Sequence, residues 1–295
     1  ERRKQVRFEL ARLRHGLLFV HLGSADLVQH TFWREAHEQD LSSLPWRSAI
    51  RDIYQALDEL VGEVIASLAD DPRAWLLVVS DHGFAPFSRE VDLNRWLIEQ
   101  GFLQRAQREA GPTVRGLAAV DWARTKAYVV GLNAIYLNRR GRERDGILDP
   151  PEARATAQAV IEGLLALRDP ETGDAVVRRV LRTAELYPHA DPRIAPDLLV
   201  GFHRGYRMAW AAAEGSAGPA VFVRNARHWS GDHCIDPEEV PGILVSSRPL
   251  GDQAPAGLLD IAPTLLQAWG VAVPAAMQGR DLRVDRRPRP WLGGR

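Results

Sequence analysis

Residues 16–23, Gly-Leu-Leu-Phe-Val-His-Leu-Gly, form a near-continuous apolar run bounded by glycines, the pattern of a strand covered on both faces. Residues 75–79, Trp-Leu-Leu-Val-Val, repeat that pattern. Between them Trp46, Ala49, Ile50, Ile53, Leu57, Leu60, Val61, Val64, Ile65 and Leu68 recur at steps of three and four. That spacing predicts an amphipathic helix with one face given to a core. A strand, a helix and a second strand in this order favour an α/β fold built on a mostly parallel sheet flanked by helices. Ligands of such a sheet collect at the carboxyl ends of its strands.

From about residue 90 the texture changes. A helix is expected over Asp92–Gln100, short strands over Ala127–Val130 and Ala134–Leu137, and a helix over Pro151–Leu167, opened by Pro150-Pro151 and stopped near Asp169-Pro170. Val176–Leu181 and Asp197–Phe202 read as further strands, Gly242–Val245 as a buried strand, and Leu258–Trp269 as a helix. The expected organisation is a first part of the α/β core over 1–89, an inserted cap-like α+β region over 90–225, and a return to the core over 226–295. The tail from Arg283, rich in Arg, Pro and Gly, reads as loose. The arginines of the first fourteen residues do not gather on one dense face, so a solvated surface helix is expected there and not a membrane-binding one.

The 295 residues carry 38 Lys+Arg against 38 Asp+Glu, a net charge of zero, so no stable nucleic-acid partner is expected. No apolar run is long enough for a membrane span. Cys234, the single cysteine, cannot form an intrachain disulfide, which fits a reducing compartment, and the cytoplasm is the expectation. The chain starts at Glu1 without a recognisable leader and is expected to be a fragment.

Three segments carry chemistry. In Asp26-Leu-Val-Gln-His30, a helix would set the carboxylate and the imidazole on one face, where they could grip a cation; an N-cap with a surface histidine explains the same residues. Ser80-Asp81-His82-Gly83 follows a predicted strand, and both Asp81 and His82 could point into a crevice above it, or lie in an ordinary turn. His233, in Trp229-Ser230-Gly231-Asp232-His233, sits in a glycine-containing loop. Together these oxygen and nitrogen donors suit zinc or manganese, and five are about right for most of two open sites. Two such ions are a recurrent device of phosphoryl transfer. Asp232 could orient His233, Asp260 reads as a helix cap, and His21 reads as a core histidine inside its strand.

These segments, with Phe32-Trp33, Phe84, Asp260-Ile-Ala-Pro-Thr264 and Gly270, resemble the alkaline phosphatase superfamily, in particular its type I phosphodiesterase/nucleotide pyrophosphatase branch. Asp121-Trp122, Lys126-Ala-Tyr128, Ile135-Tyr-Leu-Asn138 and Gly141-Arg142 resemble the related predicted phosphohydrolases and phosphomutases. The resemblance runs from about Leu17 to Leu282. It implies an alkaline-phosphatase-like core, here the carboxyl-terminal portion, two divalent metal ions and a small phosphorylated substrate. It assigns Asp26, His30 and His233 to one ion, and Asp81 and His82 to the other. It also implies a Ser or Thr nucleophile upstream of the first motif, and therefore outside this chain. Ser24 is set aside as a substitute because it reads as a strand exit without a helix N-terminus. The expected function is a metal-dependent phosphohydrolase or phosphodiesterase. A phosphoglycerate-mutase-like phosphomutase and a catalytically inactive metal-binding module are the alternatives.

Overall fold

The computed structural model describes residues 1–37, 46–106, 116–251 and 255–284. In chain order the elements are α1 (Arg2–Arg12), α2 (Ser24–His37), α3 (Ala49–Leu68), β1 (Leu77–Val79), β2 (Ala85–Val91), α4 (Leu93–Glu99), β3 (Ala127–Val129), β4 (Ala134–Leu137) and α5 (Pro150–Leu165). There follow β5 (Val177–Arg182), α6 (Thr183–Leu186), β6 (Leu198–Phe202), β7 (Gly205–Met208), α7 (Trp210–Ala213), β8 (Phe222–Arg224), β9 (Gly231–Asp232), β10 (Leu244–Ser246) and α8 (Ile261–Ala268). The α/β class expected from the sequence is what forms, with the mostly parallel pairing expected of it seen only in part. No helix of the described residues is long and apolar enough to cross a membrane.

The chain divides into two compact units, one of residues 23–54 and 84–240, the other of residues 1–22, 55–83 and 241–295. The first holds the principal core. Its β2 lies between β7, paired parallel, and β8, paired antiparallel, while β9 adds a short antiparallel pairing at Ala85 and Pro86. A second sheet, in the order β3-β4-β6-β5, is antiparallel throughout. Among the described strands parallel pairing is thus confined to β2 and β7.

Local chemistry explains the helices of this unit. Asp92 caps α4 by accepting from Arg95 N at 2.8 Å and also receives Gly218 N at 2.6 Å, although burial pushes its carboxyl up. The side chain of Asn94 meets the β3 backbone twice, donating to Val129 O and accepting from Val129 N, which docks α4 on β3. In α5 the Asp149/Glu152 capping box starts the helix, and Ala153, Ala157, Val160 and Leu164 recur on its buried side. Leu93, Leu97, Ile135, Leu164, Leu198 and Phe202 are sealed from solvent. Each contributes about 1.5–3 kcal/mol by leaving water.

The other unit differs from its sequence reading. Residues 16–23 join no strand, and Phe19 is 81% exposed, because an apolar run becomes a strand only where a neighbour supplies N–H and C=O partners. His21 is accordingly exposed and not a core histidine. Strand β1 forms over only three residues and pairs antiparallel with β10, Val78 facing Val245. The predicted α1 is a surface helix, with Arg3 and Arg7 held on Glu63. Asp260 accepts from Gly257 N and Arg280 N, a structural role, although its side chain makes no capping bond to α8. Arg283, read as the start of a loose tail, is buried and paired with Asp281; residues 285–295 lie outside the described residues.

Candidate metal centre

Helix α2 presents the first motif. Asp26 lies in its first turn, where a carboxylate is favoured by the helix dipole, and His30 follows one turn later on the same face. Ser24 opens this helix, so it does stand at a helix N-terminus, contrary to the strand exit read from the sequence. Strand β9 runs beside α2, and the two approach so closely that a Cβ on Gly231 would stand 2.5 Å from Gln29 O. Only glycine fits there.

His30 is buried and its ring is fixed on several sides. Nδ1 lies 2.8 Å from Gly231 O, and since a carbonyl can only accept, Nδ1 carries a proton, which in the neutral ring leaves the Nε2 lone pair for a ligand. Trp229 stacks on the imidazole at 4.0 Å and 18°, and Phe84 meets it edge-on at 4.7 Å. Asp26 Oδ1 then lies 3.5 Å from His30 Nε2 and 3.6 Å from His233 Nε2. The three ligand atoms fall within 4.8 Å of one another. Both separations to Asp26 are long for hydrogen bonds, whereas a tetrahedral ion with ligands at about 2.0–2.1 Å spaces its donors about 3.3 Å apart. The two Asp26 separations are therefore close to those of a divalent ion's donors.

His233 is placed by its neighbour. Asp232 Oδ1 accepts from His233 N at 2.7 Å and from Cys234 N at 2.8 Å, and its Oδ2 meets Arg207 Nε at 2.7 Å. Burial works against the charge on Asp232, but the Arg207 guanidinium and the two amides hold its carboxyl below the usual carboxylate range. A second grouping, Asp232, His233 and Cys234, also has ligand atoms within 4.8 Å. There both Asp232 oxygens are already committed, and burial pushes the Cys234 thiol up to about 11, so the Asp26 trio is the better cation site.

Asp81 and His82 belong to the other unit, just past β1. Asp81 Oδ1 is 3.6 Å from His82 Nε2, and His82 Nδ1–H donates to Gly83 O at 3.0 Å, leaving Nε2 on the Asp81 side. Arg207 gave no sequence signal, since a buried arginine on a short strand breaks the apolar pattern without marking a motif. Trp229 stood inside a quoted motif, but its ring contact with His30 follows from no spacing.

Asp26, His30 and His233 thus gather one carboxylate and two imidazoles around one point, a set that could hold a divalent ion. The model of the type I phosphodiesterase / nucleotide pyrophosphatase family matches residues 2–230, and the chain belongs to that family. The match bears out the resemblance to that branch. It includes Asp26, His30, Asp81 and His82 and stops short of His233, whose place in the trio rests on geometry. Two solved structures are similar. One is phosphonoacetate hydrolase from Sinorhizobium meliloti 1021 in complex with phosphonoformate, at 14% identity and TM-score 0.43, covering 78% of this chain and 46% of that one. The other is wild-type alkaline phosphatase PafA, at 16% identity and TM-score 0.41, covering 79% of this chain and 42% of that one. The chain thus spans less than half the length of either. No curated protein matches it.

Proposed function

We propose that the chain carries a divalent-metal centre of a phosphodiesterase or phosphohydrolase acting on small phosphorylated substrates. Asp26, His30 and His233 hold one ion, zinc or manganese. The same reading gives Asp81 and His82 to a second. The observation that carries it is the convergence of the trio, with Asp26 Oδ1 at 3.5 and 3.6 Å from two imidazole Nε2 atoms and His30 locked in the tautomer that leaves Nε2 available. Family membership supplies the reaction class.

A bound divalent ion would polarise a phosphoryl oxygen and stabilise its developing charge. The residues of the chain do the rest. Asp26 contributes the one negative charge of the trio; its side chain is 46% exposed, while Oδ1, the oxygen that faces both imidazoles, is itself shut away from solvent. His30 and His233 contribute neutral donors, and Trp229 and Phe84 pack on the His30 ring to hold its plane and exclude water behind it. Asp232 keeps His233 in place through its backbone amide.

The test is metal retention. Protein stripped with a chelator and reloaded with zinc or manganese should hold metal, and His30→Ala with His233→Ala should abolish holding at this centre. Metal content unchanged by the double substitution would overturn the assignment. In parallel, hydrolysis of bis(p-nitrophenyl) phosphate against p-nitrophenyl phosphate reads diester against monoester preference.

A further inference from the structure

Past its bend at Phe32, α2 buries another carboxylate that the chemistry above does not use. Glu35 is 1% exposed. Its Oε1 lies 2.5 Å from His228 Nδ1, while its Oε2 is shut away from solvent and makes no hydrogen bond among the described residues. Burying a carboxylate half satisfied is costly, so its one contact must return something. His228 is the opposite kind of residue, with a side chain 69% exposed. Glu35 therefore fixes a group that would otherwise swing in water.

His228 begins the stretch that surrounds the His30 ring. Trp229 stacks on that ring, Ser230 N donates to His30 O at 2.8 Å, Ser230 Oγ accepts from Arg34 N at 3.0 Å, and Gly231 O takes the Nδ1 proton. These contacts join the stretch to α2 near His30. The Glu35–His228 contact closes its far end against the same helix.

We infer that Glu35 is a positioning residue for the metal centre: through His228 it clamps 228–231 onto α2, holds the Trp229 plane and the Gly231 carbonyl against His30, and so sets the affinity of the site for its ion. The inference rests on the metal-centre reading above. Partners standing behind metal ligands typically change affinity 10–100-fold when removed.

The experiment titrates zinc alone into the full chain, wild type and variants, with a cobalt absorption spectrum as a report on coordination and a melting curve as a report on folding. His228→Ala leaves the buried Glu35 carboxylate without its contact and should lower the melting temperature, so zinc is titrated well below each variant's melting point; there it should weaken zinc binding about tenfold, with an altered cobalt spectrum. Glu35→Ala should weaken it as much, the two together no more than either alone, and Glu35→Gln, whose carbonyl still accepts from His228, should recover most of the affinity. Zinc binding by wild type that His228→Ala leaves within twofold, or losses that add in the double variant, would overturn this inference and leave the metal centre standing. A wild-type chain that binds neither zinc nor manganese would overturn the centre, and this inference with it.

Discussion

Arg207 Nε lies 2.7 Å from Asp232 Oδ2, and both side chains are almost wholly withdrawn from water, 2% and 3% exposed. The guanidinium also lies over the Trp210 ring at 4.3 Å and the Phe87 ring at 5.3 Å. A pair so placed is worth less for its attraction than for what its breakage would leave behind. Arg207→Met strands the Asp232 charge and should cost about 3–5 kcal/mol in denaturant unfolding, whereas Arg207→Met with Asp232→Asn should cost less than the single change. The pair also has a pH signature. The carboxyl of Asp232 titrates lower in the folded chain than its ordinary 3.8, so its contribution is complete above that value and lost as pH falls through the folded one. Unfolding midpoints should drop below about pH 4 in the wild type, and Asp232→Asn should reduce the drop.

Gly231→Ala tests the approach of β9 to α2. The added methyl would stand 2.5 Å from Gln29 O and 3.0 Å from the Trp33 Cβ, and the first of these is backbone, which cannot step aside. A loss of about 1–3 kcal/mol in unfolding is expected, together with weaker metal retention, since the Gly231 carbonyl must shift away from His30. Retention at wild-type level would show that the ring keeps its orientation without that acceptor.

Asp81→Ala and His82→Ala test the second ion. Metal content measured by mass spectrometry should fall from two equivalents to one in either variant, while His30→Ala should lose the other equivalent. A wild-type stoichiometry of one would remove Asp81 and His82 from the ligand set.

Legibility in the sequence followed locality. Helix α5 was readable because its proline start, capping box and buried stripe all lie within its own residues. Asp26 and His30 were readable as a pair because one helical turn joins them. Leu17–Val20 misled, since apolarity is a property of the segment but strand pairing is a property of its neighbours. His233 could be joined to Asp26 only through likeness to a family, because no period in the chain spans some two hundred residues. Arg207 and Glu35 were invisible, as their importance comes from burial beside a particular partner.

The bond from His30 to Gly231 ties a side-chain tautomer to the alignment of two strands. Carbonyls alternate in direction along β9, so a slip of one residue against β2 would turn the Gly231 oxygen away and hand the imidazole a different proton arrangement. An ion held at the proposed centre would therefore favour chains zipped in the native alignment over those that are not.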